Sequence, residues 1–128
     1  MSGGKSSKEK GKWGELLAQE YLIRKGYAIL ETNYRPGASH LEVDIIAQQG
    51  TDMVFVEVKT RTNPEEDPAE AVDLKKMRFM AYVADNFIRN QPIHYNYRFD
   101  IIAVNGTPED YELRHIKDAF LAPLNTKR

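Results

Sequence analysis

The stretch VDIIAQQGTDMVFVEVKTR, Val43 to Arg61, limits the folds open to this chain more than any other. Two runs of β-branched and apolar residues flank Gly50, a pattern that predicts an antiparallel hairpin. Asp44, Glu57 and Lys59 stand inside those runs, where a plain core strand would carry valine. Side chains alternate faces along a strand, so Glu57 and Lys59 share one face while Val54, Val56 and Val58 share the other. With Gln49-Gly50-Thr51-Asp52 read as a four-residue loop, Gln48 pairs with Met53 and Asp44 lies opposite Glu57. Glu42 falls on the same face, and a slip of one residue would break the constellation. Facing carboxylates would sit about 5 Å apart and repel by roughly 3 kcal/mol at an effective dielectric of about 20. A divalent cation offsets such repulsion, because Mg²⁺ takes one or two carboxylates, keeps several waters and accepts a phosphate oxygen. Lys59 could balance charge, orient a water or contact that phosphate. The set suits metal-assisted phosphodiester hydrolysis. The competing reading is a half-exposed sheet with valines inside and charges in water. Two helices covering both sheet faces would leave little room for an idle charge cluster.

The remaining elements fall around this hairpin. From Lys8 to Lys25, Trp13, Leu16, Leu17, Tyr21 and Leu22 recur at helical spacing, and Gly26 suits the left-handed residue that ends a helix. Glu15 shares a row with Ala18 and Leu22, on the edge of the apolar stripe. Tyr27–Tyr34 reads as a strand, Arg35-Pro36-Gly37 as a turn, and Leu41–Gln48 and Met53–Arg61 as the hairpin strands. Asp67-Pro68-Ala69-Glu70 predicts the start of a second helix, with an acid cap, a first-turn proline and a capping-box Glu. That helix carries Met77, Met80, Ala81, Ala84, Phe87 and Ile88 on one face and ends near Asn90. Tyr95–Val104 predicts a strand, Asn105-Gly106 a turn and Tyr111–Ile116 a last strand, with Ala119-Phe120-Leu121 tucking back onto the core. The expectation is an α/β fold: a mixed sheet of about five strands flanked by helices, in the order α-β-β-β-α-β-β, with the hairpin in its middle. Residues 1–7 are expected to be a flexible lead-in, 8–121 one domain and 122–128 a tail.

Composition narrows the function. A chain of 128 residues fits one domain able to bury about two-thirds of its unfolded surface. Cysteine is absent, which excludes disulfides and thiolate metal sites. The N-terminal MSGGKSSKEKGKWG has lysines but no apolar stretch behind them, and no run approaches the ~20 apolar residues of a membrane helix. A cytoplasmic protein that avoids membranes is expected. The formal net charge of −1 lacks the basic excess of a dedicated nucleic-acid binder. Positive charge is local, in Lys5, Lys8, Lys10 and Lys12 and again in Lys75, Lys76 and Arg78. His40, His94 and His115 show no ligand spacing, and each is expected at the surface or in a loop. No GxGxxG, GxxxxGK[ST] or GxSxG occurs, so dinucleotide, nucleoside triphosphate and acyl-enzyme chemistry have no support.

Glu15 after Gly14, the triplet Glu42-Val43-Asp44 and the triplet Glu57-Val58-Lys59 together resemble the PD-(D/E)XK nuclease superfamily. The similarity is closer to the YraN-like family of bacterial predicted endonucleases, related to archaeal Holliday junction resolvases. WGELLAQEYL, GYAILETNYR, LEVDIIA, VFVEVKTR, AEAVDLKKMR and RFDIIAV carry it, in order, over roughly residues 11–120. Val43 stands where the superfamily has proline, and Leu41 where a glycine is common. The resemblance implies a restriction-endonuclease-like fold and Mg²⁺- or Mn²⁺-dependent cleavage of nucleic acid, DNA before RNA, with branched DNA as one substrate. By that carry-over Asp44 and Glu57 hold the metal with the Val58 carbonyl, and Glu15 reaches it through water. Lys59 positions or activates the attacking water, which makes Glu15, Asp44, Glu57 and Lys59 the catalytic set. Lys76 would meet substrate phosphate, with Arg61, Arg35, Lys75 and Lys12 as further nucleic-acid contacts and a homodimer as an assembly open to the chain. The alternative is a non-catalytic module that keeps the fold to bind nucleic acid or a protein.

Overall fold

The structure is a computed structural model that describes residues 7–61, 65 and 72–122. Its elements are α1 (Ser7–Arg24), β1 (Ala28–Tyr34), β2 (Val43–Gln49), β3 (Asp52–Arg61), α2 (Leu74–Arg89), β4 (Asn96–Thr107) and β5 (Asp110–Phe120). The order is the expected one. The strands form a single sheet, β1-β2-β3-β4-β5. Only β3 and β4 run parallel, and α2 makes the crossover between them, as a parallel connection requires.

The hairpin keeps the expected register. Gln48 pairs with Met53, and the ladder runs one pair further to Gln49 and Asp52, so the turn is Gly50-Thr51 rather than four residues. Gly50 has φ 60°, open to glycine without strain. Helix α1 ends as Gly26 suggested: its N–H donates to the Ile23 carbonyl while Tyr27 N–H reaches back to Leu22, both at 3.0 Å. Leu22 and Tyr27 are both buried, the apolar contact that accompanies this helix stop.

Each helix covers one sheet face. Ala18 and Leu22 of α1 pack on Ile45, Ala47, Val54, Val56, Val58, Ile102 and Val104. Met80, Val83 and Ala84 of α2 pack on Ile46, Met53, Phe55 and Phe99. The valine face of β3 therefore belongs to α1, and the Glu57/Lys59 parity belongs to α2. Among the described residues no helix is long and apolar enough to cross a membrane.

Three local expectations need correction, and a fourth falls on residues that are not described. The cap expected at Asp67-Pro68-Ala69-Glu70 lies outside the described residues. The helix starts instead at Leu74, where the Asp73 carboxylate accepts the Lys76 N–H at 2.8 Å. Asn105-Gly106 is not a turn. Both residues lie in β4 paired with β5, and the chain reverses at Pro108-Glu109 after Thr107 pairs with Asp110. Glycine is still required there, since Gly106 has φ 114° and a Cβ would come within 2.3 Å of the Asp110 carbonyl. Leu16 faces water instead of the core, because Gly14, Ala18 and Leu22 set the buried line of α1. Of the Ala119-Phe120-Leu121 segment, Phe120 stacks on Phe99 with centroids 4.9 Å apart, while Leu121 is exposed.

Candidate metal centre

The site forms where β2 and β3 part. Their ladder stops at Ile45 and Val56, so Val58, whose continued partner would be Val43, lies beyond the paired stretch on that edge. The Asp44 carboxylate takes its place, with Oδ2 accepting the Val58 N–H at 2.7 Å. N–H and C=O of one strand residue point to the same neighbour, so the Val58 carbonyl faces the same gap. Side-chain alternation also fails here: Val43 belongs to the α2 cluster and Ile45, of the same parity, to the α1 cluster. This break lets a carboxylate from β2 meet groups from both faces of the sheet.

Glu57, one residue past the last β2–β3 pair, is 4% exposed. Lys59 Nζ lies 3.3 Å from its Oε2, and Lys76 Nζ lies 3.2 Å from its Oε1. Glu57 Oε1 is nonetheless buried without a hydrogen bond, because the Lys76 ammonium sits within ion-pair distance but off a bonding angle. It is the buried side-chain polar atom among the described residues left in that state. Lys76, expected at substrate phosphate, is thus turned inward onto Glu57.

Helix α1 delivers Glu15. Gly14 lies against β3, where a Cβ would meet Thr60 Oγ1 at 2.6 Å, so only glycine lets the helix come this close. Glycine inside a helix costs about 1 kcal/mol relative to alanine, which the close approach must offset. The next residue, Glu15, accepts a hydrogen bond at 2.8 Å from Asn33 of β1. The same amide nitrogen donates to Glu42 at 2.8 Å, and Arg35 donates to the other Glu42 oxygen at 2.9 Å. Glu15, Glu42 and Asp44 each place one carboxylate oxygen within 4.8 Å of the others, so this trio could hold a metal ion.

Electrostatics bear the strain of this crowding. Burial, with the Glu57 charge added, pushes the Asp44 carboxyl up to about 8 against the Val58 N–H that favours its ionised form. Burial also raises Glu15, and the charges of Glu42 and Glu57 add to it while the Asn33 hydrogen bond opposes. For Glu42, burial alone would raise the carboxyl, but the hydrogen bonds from Arg35 and Asn33 outweigh it and the net shift is downward. The sequence argument asked what offsets two facing acids. In the metal-free protein a proton on Asp44 and two lysines around Glu57 do so.

The expected catalytic residues thus converge from α1, β2 and β3. The expected nucleic-acid contacts scatter. Lys12 and Lys75 are exposed on their helices, Arg35 is tied to Glu42, and the Arg61 side chain lies outside the described residues. Glu42 had been placed on the right face without a role. Asn33 had no signal at all, since its part depends on a left-handed backbone within β1, at φ 49°.

One histidine also departs from expectation. His40 and His94 are exposed, but the His115 side chain is buried: Nε2 lies 2.7 Å from Asp100 and Nδ1 lies 3.0 Å from the Tyr21 hydroxyl. Asp100, fully buried, also accepts from Arg98 and from the Asp118 N–H, and Arg98 donates to Tyr27. This network ties β4 and β5 to α1 and to Tyr27, the residue just ahead of β1.

The acidic donors are all hard oxygens, and a buried Glu57 oxygen stands beside them without a hydrogen bond, so the residues fit a hard divalent cation. Similar chains match over most of their length and of this one. The chain is 44% identical over 117 residues to a UPF0102 protein of Bacteroides thetaiotaomicron, covering 91% of this chain and 95% of that one. It is 41% identical over 116 residues to a UPF0102 protein of Alkaliphilus metalliredigens, covering 89% and 99%, and 41% identical over 113 residues to one of Christiangramia forsetii, covering 88% and 93%. The family model matches residues 14–104, a span that opens on the glycine seating α1 and takes in Glu15, Asn33, Glu42, Asp44, Glu57, Lys59 and Lys76. With its candidate centre inside that span, the chain belongs to the uncharacterised protein family UPF0102.

Proposed function

We propose that the protein is a Mg²⁺- or Mn²⁺-dependent nuclease that hydrolyses phosphodiester bonds of nucleic acid, DNA before RNA. One observation carries this reading: buried Asp44 and Glu57 meet Glu15 at the β2–β3 fork with two lysines beside them. In this reading Asp44, Glu57 and the Val58 carbonyl hold the cation, with Glu15 on its outer side. A cation held there would supply Lewis-acid polarisation of a phosphoryl oxygen and lower the pKa of a bound water. Lys59 positions the attacking water and offsets charge on the phosphate. Lys76, whose ammonium lies 3.2 Å from Glu57 Oε1, would share that carboxylate with the cation and could offer its charge to a substrate oxygen. Asp44 gives up its proton when the cation binds, as metal ligands must. Exposed Lys12 and Lys75 supply weaker, sequence-independent phosphate contacts.

A panel of branched, flapped and single-stranded DNA and RNA, incubated with purified protein and millimolar Mn²⁺, tests the reading. Cleavage that EDTA abolishes and that Glu57→Gln and Lys59→Ala each reduce by at least about 100-fold is the expected result. A second reading, a binding module without catalysis, draws on the pairing of both Glu57 oxygens with lysines, which neutralises the site internally. Binding of the same panel with no cleavage in any metal would establish it instead.

A further inference from the structure

The carboxylates around Asp44 are gathered by a residue that the chemistry above does not use. Asn33 lies in β1 with φ 49°, a left-handed conformation that asparagine tolerates better than most residues but that still strains a strand. The strain has a visible product. In this position the side-chain amide donates to Glu15 Oε1 and to Glu42 Oε2, both at 2.8 Å. One acceptor comes from α1, the other from the connection ahead of β2. A neutral amide shared between two carboxylates orients both and removes the charge of neither. Among the described residues, the one positive charge paired with either of these two carboxylates is that of Arg35, on Glu42. Arg35 fastens the far oxygen of Glu42, so that side chain is held from both ends. The result is the trio of oxygens from Glu15, Glu42 and Asp44 within 4.8 Å of one another. Glu57, 4% exposed, lies near enough for its charge to act on both Glu15 and Asp44, and its Oε1 has the Lys76 ammonium at 3.2 Å but no hydrogen bond.

We infer that Asn33 is a positioning residue that presents Glu15 and Glu42 to the divalent cation as a pair, and that Glu42 is a direct ligand beside Asp44. The inference rests on the metal-dependent reading above and adds a fourth carboxylate to it. Glu42 thereby decides how tightly the cation is held on the helix side of the site, whereas Glu57 and Lys59 serve the phosphate side.

Asn33→Gly tests this cleanly, because glycine accepts the left-handed backbone and removes only the amide. Calorimetry would measure Mn²⁺ affinity of the full chain for the parent, Asn33→Gly, Glu42→Gln and the double variant, alongside melting in EDTA. Asn33→Gly should weaken Mn²⁺ binding about tenfold, the range for lost outer-shell orientation, with the EDTA melting temperature unchanged or higher. Glu42→Gln should weaken it at least as much, and the double variant should lose less than the sum of the two, since the Asn33–Glu42 contact is common to both while only the Asn33–Glu15 contact is left to lose. A parent that binds no Mn²⁺ overturns this inference together with the metal reading. A parent that binds Mn²⁺ while Asn33→Gly binds equally well, or while the two losses simply add, overturns the role of Asn33 and leaves the metal reading standing.

Discussion

At the scale of single residues, Asp44 sets the terms. A carboxyl whose folded-state value is raised binds protons more readily folded than unfolded, so its stabilising contribution is complete at low pH. It is lost as pH rises from about 4, the unfolded value, through about 8. The protein in EDTA should therefore lose stability steadily across that range. Asp44→Asn keeps an oxygen to accept the Val58 N–H and removes the charge, so at pH 8 without metal it should be more stable than the parent by several kcal/mol. Melting curves in EDTA at pH 5 and pH 8 check this: parallel pH profiles for parent and variant would contradict it. With Mn²⁺ the variant should show no stabilisation, whereas the parent should bind more tightly as pH rises, because the cation displaces the proton. Lys76 offers a second check at the same scale. As the partner of a buried carboxylate, its loss in Lys76→Ala should destabilise the metal-free protein by about 1–3 kcal/mol. A plain surface phosphate contact would leave stability unchanged, and thermal melts distinguish the two.

At the scale of elements, the site depends on how closely α1 lies on β3. Gly14→Ala would improve the helix in isolation by about 1 kcal/mol. In the fold its Cβ meets Thr60 Oγ1 at 2.6 Å and Cγ2 at 3.4 Å, so α1 must lift or Thr60 must turn. The expected net effect is a loss of about 1–3 kcal/mol, the usual cost of overpacking. Glu15 rides on the next residue, so Mn²⁺ affinity should fall with it. Thr60→Ala removes both offending atoms, and the double variant should recover most of the stability and the affinity. A double-mutant cycle by denaturant unfolding measures this. Additive losses would mean that the contact does not seat the helix.

At the scale of the whole molecule, the Asp100 network balances the candidate centre. Burial alone would raise Asp100, but the His115, Arg98 and Asp118 hydrogen bonds outweigh it and hold the carboxyl below its ordinary value. Its contribution is therefore present above about pH 4 and is lost as pH falls further. Combined with Asp44, this predicts that the metal-free protein is most stable between about pH 4 and 5 and that Mn²⁺ moves the optimum upward. A pH series of melts with and without Mn²⁺ would show it, and an optimum near pH 7 in EDTA would refute it. Asp100→Asn leaves Arg98, itself only 18% exposed, with the Asp52 carboxylate at 3.4 Å as its remaining ion pair and should cost about 2–4 kcal/mol. The same variant should weaken Mn²⁺ affinity in the folded protein less than Glu57→Gln does: Asp100 pairs with Val56 at the fork, but its carboxylate is taken up by His115, Arg98 and the Asp118 N–H.

Periodicity alone determined the order of elements, the hairpin register and the shared face of Glu57 and Lys59, because these follow from alternation, turn chemistry and neighbours close in the chain. The glycine that stops α1 was legible for the same reason. Other features were decided only by tertiary structure, because they depend on partners distant in sequence. Asp73 caps α2 in a segment where Asp67 offered an equally good local signal, and His115 looked like a surface residue until Tyr21 and Asp100 closed around it. Asn105-Gly106 carries a turn signature that pairing with β5 overrides. The candidate centre divides along the same line. Spacing within one hairpin could place Asp44 opposite Glu57. The meeting of Glu15, Asn33 and Glu42 with Asp44 needs a helix seated on a sheet, a strand residue in left-handed backbone and a ladder that ends early. No local pattern encodes those three, because each is a compromise between elements that settles only when the core packs.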